Sequence, residues 1–153
     1  MTGVDLTKIP GINEVTVLEL ISETGVDMNK WQSAKHFAAW LNLAPNTKIT
    51  GGKIISSKMQ KKKNKAGQCL KMAASSLSNS KTPLGDEYRR MRAKIGGEGA
   101  VLAIAHKLSR IIYTIIKTKS EYNPAIITGN QQKWREQKIK RLEKQIEKLK
   151  KAA

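Results

Sequence analysis

A run of lysines beside a glycine pair is the part of the sequence best suited to chemistry. Between residues 48 and 65 every ionisable side chain is a lysine: Lys48, Lys53, Lys58, Lys61, Lys62, Lys63 and Lys65. The glycine pair, Gly51 and Gly52, permits close approach of the backbone to a ligand. Four hydroxyl side chains lie beside it: Thr47, Thr50, Ser56 and Ser57. This combination suits a phosphodiester ligand, and a solvated, disordered loop is the alternative.

The charge of the whole chain supports a polyanionic partner. The 153 residues include 29 Lys and Arg against 12 Asp and Glu, a formal net charge of +17. Self-repulsion at this charge destabilises a compact state, and an anionic partner relieves it. Nucleic acid is the first candidate, since neutralised phosphates release counterions. An anionic membrane is a weaker candidate, and a merely soluble cationic surface is the remaining interpretation.

The composition also excludes several classes of protein. One cysteine and two histidines, distant in sequence, argue against a disulfide framework and against a Cys- or His-based metal site, so no metal ligand is predicted. The longest apolar stretch, 100–116, is interrupted by His106, Lys107 and Arg110 and is too short to span a bilayer. The first residues lack the form of a signal peptide. We expect a cytoplasmic protein without a membrane partner.

The elements that must position the lysine run are predicted to be helices. Pro10 and Gly11 separate a short first helix from a second one, for which Asn13 is the expected N-cap and Gly25 the end. The expected apolar stripe of the second helix is Val17, Leu18, Leu20 and Ile21. Two short helices joined in this way are typical of a helix-hairpin-helix unit, in which backbone amides hold a phosphate. We predict this unit over residues 1–25, with Pro10 and Gly11 as phosphate-binding residues. An ordinary helical turn is the alternative.

Residues 26–120 are predicted to complete one domain with this unit. Ser33 is the expected cap of a helix with Phe37 and Trp40 as core side chains. A helix rich in small residues is expected over 67–77, and another begins at Thr82–Pro83 and ends at Gly96–Gly97. The apolar segment 100–117 is the expected centre of the core. No long alternation indicates a strand, and only a brief pairing at Lys53–Ser56 is left open. The expected fold class is therefore mainly α, with an irregular Gly-Gly and Lys-rich loop.

The last segment, 121–153, is predicted to carry a basic tail helix. From residue 131 it has nine basic residues and three acids. Apolar residues recur in a heptad-like stripe at Ile139, Leu142, Ile146 and Leu149. The stripe is short for a coiled coil, and we interpret the helix as packing on a partner or on nucleic acid.

The order of these motifs resembles the C-terminal transposase domain of the IS110 family of bacterial insertion sequences. The similarity is carried by five segments in order: Ile9–Ile12, Trp31–Pro45, Lys48–Lys53, Tyr88–Ala93 and Ala105–Tyr113. Asn64–Ala66 and Leu70–Ala74 continue it, and together they cover about residues 2–117. Each motif is weak alone, and their shared order is specific.

The resemblance implies a recombinase guided by a structured RNA. In this family a RuvC-like domain with four metal-binding acids joins the C-terminal domain, which supplies a serine that attacks a DNA phosphodiester. The position of that serine, next to Gly51–Gly52–Lys53, is Thr50 here, and Ser56 and Ser57 are weaker substitutes. Nucleic-acid-binding residues are then expected in the loop: Gly51, Gly52, Lys53, Lys58, Lys61, Lys62, Lys63 and Lys65.

Two departures from the family pattern shape the expected function. The acids of this chain show no clustered carboxylate motif, and threonine is a more crowded nucleophile than serine. We therefore expect a truncated or split transposase, inactive alone. Its partners would be DNA, a structured guide RNA, and either a transposase chain bearing the acidic domain or copies of itself. Mg²⁺ is expected only with that acidic domain, and the expected location is the nucleoid of a bacterial cytoplasm. A non-catalytic nucleic-acid-binding module is the alternative, and a ribosome-associated protein explains only the charge.

Overall fold

The computed structural model describes residues 3–59 and 62–124, together with eight positions of the tail between 136 and 147. The chain is mainly helical, as predicted. Its elements are a 3-10 turn (Leu6–Lys8), α1 (Glu14–Thr24), a 3-10 turn (Met28–Lys30), α2 (Ala34–Trp40), β1 (Asn46–Thr50), β2 (Lys53–Lys58), α3 (Lys65–Ser76), a 3-10 turn (Leu77–Asn79) and α4 (Pro83–Thr118). Residues 1–122 form one compact unit and residues 123–153 a second one.

Polar side chains fix where the helices begin. The predicted caps Asn13 and Ser33 each accept a hydrogen bond from the backbone N–H three residues on, and Asn64 caps α3 in the same way. Thr82 caps α4 ahead of Pro83, as the Thr-Pro pair predicted. Each cap satisfies a backbone N–H group that the helix itself leaves unpaired.

Helix α4 bends back on itself at Gly96. This residue has φ 81° and ψ 173°, outside the helical region and accessible mainly to glycine. In a straight helix Glu87 and Lys107 would lie about 30 Å apart, yet the Lys107 ammonium donates a hydrogen bond to the Glu87 carboxylate. Segments 83–95 and 97–118 therefore lie side by side, and the predicted break between two helices is confirmed.

The core of the first unit lies where α2 and α3 pack on α4. Its fully buried side chains include Phe37, Leu70, Ile104, Leu108 and Ile112, so the predicted central helix is confirmed. Phe37 contacts the Trp31 ring edge-on, with 4.8 Å between ring centroids. By length and composition α4 could also cross a membrane, at a mean hydropathy of 1.4, but half of that apolar window is buried by this packing.

Two predicted core side chains face solvent instead. Leu18 is 66% exposed, whereas Leu20 is buried. Two residues are about 200° apart around a helix, so a stripe through Leu20 cannot also contain Leu18. Trp40 is 41% exposed, although its ring remains 5.3 Å from that of Trp31.

The Gly-Gly segment is a β-hairpin rather than the predicted irregular loop. Strands β1 and β2 pair antiparallel, with Thr50 opposite Lys53. Gly51 and Gly52 both have positive φ (55° and 75°), as a two-residue hairpin turn of the favoured twist requires. The register shifts between Lys48 and Ile49, and this bulge interrupts the simple alternation by which strands are recognised in a sequence.

Candidate nucleic-acid interface

One face of the hairpin gathers lysines and hydroxyls. Lys48 and Thr50 are two residues apart on β1 and therefore point to the same side. Thr50 pairs with Lys53 and Lys48 pairs with Ser56, and paired residues of an antiparallel ladder share a face. We call Lys48, Thr50, Lys53 and Ser56 the polar face. It brings together the predicted nucleophile, one of its substitutes and two cations.

The hairpin is exposed to solvent on both sides. Thr50, Gly51, Gly52 and Lys53 are exposed, and on the side opposite the polar face Ile49 is 62% exposed. Within the described part of the chain neither strand makes an extended contact with a helix. Because these residues are exposed and the strands make no extended helix contact, they do not contribute to the core of the domain. A two-stranded hairpin is also only marginally stable in water by itself.

Two asparagines hold the base of the hairpin. The Asn42 side-chain amide donates a hydrogen bond to the backbone carbonyl of Lys62 at 2.7 Å, which joins the chain entering the hairpin to the chain leaving it. The Asn64 amide donates to the carbonyl of Trp40 at 3.0 Å. The lysine segment that follows β2 is thereby fixed to the end of α2.

An open cavity of about 390 Å³ lies at this base. Its lining includes four lysines and a few polar groups: Lys62, Lys63, Lys65, Lys71, Asn42, Asn64 and Gln68. We call it the lysine cavity. Lys71 and Gln68 were not predicted as site residues, although Asn64, Gln68 and Lys71 recur at the i, i+4, i+7 spacing of one helix face.

One acid partly compensates the positive charge of the lysine cluster. The chain has no acid from residue 28 to residue 85, but the carboxylate of Glu23 on α1 lies 3.9 Å from the ammonium of Lys65. The Lys65 side chain is 89% exposed and that of Glu23 is 42% exposed, so solvent screens this pair and it weakens the local positive charge only slightly. The other described lysines of the hairpin and cavity lie on an exposed surface of one sign.

Three predicted residues are placed less fully. Ser57 pairs with Thr47, one position beyond the Lys48–Ser56 pair of the polar face. Lys58 pairs with Asn46 at the end of β2. The side chains of Ser57 and Lys58 lie outside the described part of the structure. Lys61 lies outside the described residues altogether.

The predicted phosphate turn at Pro10–Gly11 does not line the lysine cavity. A Cβ at Gly11 would lie 2.8 Å from the carbonyl oxygen of Ala73, so the glycine permits close packing on the C-terminal part of α3. The lysine cavity is lined by Lys65, Gln68 and Lys71 of α3, whereas Gly11 packs against Ala73 and Leu77. The amide of Ile12 donates to Ile9 within the turn and is not free for a phosphate. A 3-10 turn, not a helix, precedes Pro10.

The described residues offer no metal site and no activated thiol. No three His, Cys, Asp or Glu side chains of the described ranges come together to hold an ion. Cys69 is buried, and its burial raises the pKa of the thiol to about 12. Its reactive thiolate form is therefore scarce at neutral pH.

These features define a class of protein: a basic, mainly helical domain with an exposed cationic hairpin. The Transposase IS116/IS110/IS902 family model matches residues 5–90, more than half of the chain. The chain therefore belongs to this transposase family, and its function is transposase-related. The match includes the hairpin and the lysine cavity and ends within α4. No curated protein matches the chain.

Proposed function

We propose that this chain is a nucleic-acid-binding transposase domain whose polar face and lysine cavity contact the sugar–phosphate backbone of DNA and of a structured guide RNA. The observation that carries the proposal is the alignment of Lys48, Thr50, Lys53 and Ser56 on one face of an exposed hairpin. Family membership supports it, since a transposase must hold DNA. Such a domain would act in the bacterial cytoplasm, at the nucleoid.

The chemistry of binding follows from the side chains. Each lysine ammonium that contacts a phosphate releases a condensed counterion, which favours binding at low salt. Hydroxyls such as that of Ser56 donate hydrogen bonds to phosphate oxygens and fix the position of the strand. Neither type of contact reads bases, so sequence choice would come from the guide RNA or from another part of the transposase.

Thr50 is the proposed nucleophile of strand transfer. Its Oγ1 would form a bond to phosphorus while the bond to the departing strand's oxygen breaks, and that oxygen takes up a proton. The proton of the threonine hydroxyl must pass to a base, and Mg²⁺ must stabilise the charge on the phosphate. We propose that carboxylates of an acidic domain on a partner transposase chain would accept the threonine proton and hold the Mg²⁺, and that solvent would supply the proton taken up by the departing oxygen.

Salt-dependent binding tests the lysine contacts. Changing Lys48, Lys53 and Lys63 together to glutamine should flatten the plot of log affinity against log salt, by up to about 0.9 for each lysine in contact with duplex DNA. Fluorescence anisotropy with a labelled duplex gives this slope. An unchanged slope would contradict the proposed interface.

A matched variant controls for net charge. Lys81, Arg92 and Lys94 are exposed and lie outside the hairpin and the cavity. Their combined change to glutamine removes the same charge, and it should alter the slope much less. Equal effects of the two triple variants would mean that only the overall charge of the protein matters.

The nucleophile has its own test. The chain is mixed with a separately expressed acidic domain of the family, guide RNA, target DNA and Mg²⁺, and protein–DNA adducts are separated on a denaturing gel. An adduct that is absent in Thr50→Ala and increased in Thr50→Ser supports strand transfer. An adduct that persists in Thr50→Ala would assign the bond to another residue.

A non-catalytic binding module is the second candidate. It is favoured by the crowded, β-branched threonine at the position where the resemblance places a serine. In that case the lysine variants lose affinity as above, but no adduct forms even with Thr50→Ser.

A further inference from the structure

We propose that the ring of Trp40 stacks on an unpaired base of a single-stranded nucleic acid whose phosphate lies in the lysine cavity. This inference rests on the proposed function and deepens it, since it names the form of nucleic acid that the cavity binds. Among the aromatic side chains of the described ranges, Trp40 is the one that is exposed, at 41%. Tryptophan is highly buried on average, so an exposed ring beside a cationic site points to a ligand.

The backbone places Trp40 at the wall of the lysine cavity. It is the last residue of α2, and the next two residues, Leu41 and Asn42, line the cavity. The carbonyl of Trp40 accepts a hydrogen bond at 3.0 Å from the side-chain amide of Asn64, which also lines the cavity. A Cβ at Gly67 of α3 would lie 2.0 Å from the Leu41 carbonyl oxygen, so α3 packs closely against this corner. These contacts fix the end of α2 beside the lysines.

The ring of Trp40 is supported by the core. Its centroid lies 5.3 Å from that of Trp31, with 58° between the ring planes. Trp31 in turn contacts the buried ring of Phe37 edge-on. The carbonyl of Trp31 accepts a hydrogen bond at 2.9 Å from the Tyr113 hydroxyl of α4. Because the ring is already held in place, little side-chain freedom is lost when a base stacks on it.

Stacking and charge recognise different parts of one nucleotide. Every base has a flat π-face, so stacking on an aromatic ring tolerates any sequence. The lysine ammonium groups contact the phosphate of the same strand. A base inside a duplex is already covered by its neighbours on both sides, so its face is closed to Trp40. The combination therefore favours an unpaired nucleotide, from an RNA loop or from an opened DNA strand.

The test measures the binding of a short labelled single strand, either oligo-dT or oligo-U, by fluorescence anisotropy. Trp40→Ala should weaken binding about five- to a hundredfold, the range expected for one stacked base. Trp40→Phe keeps a π-face and should restore most of the affinity, whereas Trp40→Leu is apolar without a π-face and should not. Thermal unfolding checks that each variant is folded. A loss with one probe alone identifies RNA or DNA as the source of the base.

Two controls show whether the effect belongs to stacking. Leu18→Ala removes an apolar side chain that is 66% exposed and does not line the cavity, so it should leave single-strand binding unchanged. Duplex DNA should bind Trp40→Ala almost as well as the wild type. Unchanged single-strand affinity in Trp40→Ala overturns the proposal. Full affinity in Trp40→Leu, or an equal loss on duplex DNA, overturns stacking on an unpaired base.

The salt dependence separates this proposal from the proposed function. Trp40→Ala should lower the affinity by the same factor at every salt concentration, because stacking releases no counterions. The triple change of Lys48, Lys53 and Lys63 should instead flatten the slope. A flattened slope in the lysine variant together with an unaffected Trp40→Ala refutes the stacking alone. An unchanged slope in the lysine variant refutes the phosphate contacts on which both proposals rest.

Discussion

The lysine hairpin and the helical body of the first unit differ in what their residues are used for. In the body, Phe37, Leu70 and Leu108 are fully buried, and packing explains their identity. In the hairpin, Thr50, Lys53 and Ile49 are exposed and touch little besides the hairpin itself. The body therefore maintains the fold, whereas the exposed residues of the hairpin are accessible to a binding partner.

The largest expected difference between the two regions concerns stability. Phe37→Ala should lower the free energy of unfolding by about 3–5 kcal/mol, because it removes a fully buried ring and leaves a cavity. Ile49→Ala in the hairpin should change it by less than about 0.5 kcal/mol. Urea denaturation measures both. Similar losses in the two variants would show that the hairpin belongs to the cooperative core.

A second test sharpens the description of the body. Glu87→Gln should cost about 2 kcal/mol, since it leaves the partly buried Lys107 ammonium, 29% exposed, without its counter-charge. Asp86→Asn is the neighbouring control, because its pair with Arg89 lies at the surface and should contribute less than about 1 kcal/mol. Equal costs would mean that the contact across the bend of α4 contributes no more than a surface ion pair.

The stability of the helical body should also depend on pH through His106. Burial, and then the charge of Arg110, lower the pKa of His106 below its ordinary value of 6.5. As the pH falls below that value, the unfolded chain takes up a proton before the folded one does, so stability falls. His106→Gln should make the change in unfolding free energy between pH 7 and pH 5 smaller. An identical pH dependence in both proteins would show that His106 is not responsible.

The smallest expected effect on global stability comes from the hairpin turn. Gly51→Ala with Gly52→Ala forces two residues with side chains into positive φ, at about 1 kcal/mol each. The strands should open and their amides exchange faster with solvent. The free energy of unfolding of the body should stay the same, because it does not rest on the hairpin. Hydrogen exchange resolved by residue would reveal any spread of the effect into α3.

Much of the helical body could be predicted from the sequence because its signals are local. Asn13, Ser33 and the Thr82–Pro83 pair mark helix starts within one turn. The apolar spacing of segment 100–117 identifies the core helix. The exposure of Leu18 was missed because the stripe chosen for α1 spanned more than one face of the helix.

The hairpin was missed because its local signals are weak. Its strands are short, and the bulge beside Lys48 breaks the alternation of polar and apolar residues. Two segments separated by a Gly-Gly pair were nevertheless a hairpin signal. The lysine cavity could be predicted only in part, because Lys71 is brought to Lys62 and Lys63 by the hydrogen bonds of Asn42 and Asn64. Such contacts between segments distant along the chain leave no local pattern.

The most direct test of the central claim compares the two sides of the hairpin. A photo-crosslinking amino acid is placed either at Lys48, on the polar face, or at Thr47, its exposed neighbour on the other side. Each protein is irradiated with labelled DNA and with guide RNA. Strong cross-linking from position 48 and little from position 47 is the predicted result. Equal cross-linking from both positions, or none from position 48 while the DNA remains bound, would contradict the claim that the polar face holds the nucleic-acid backbone.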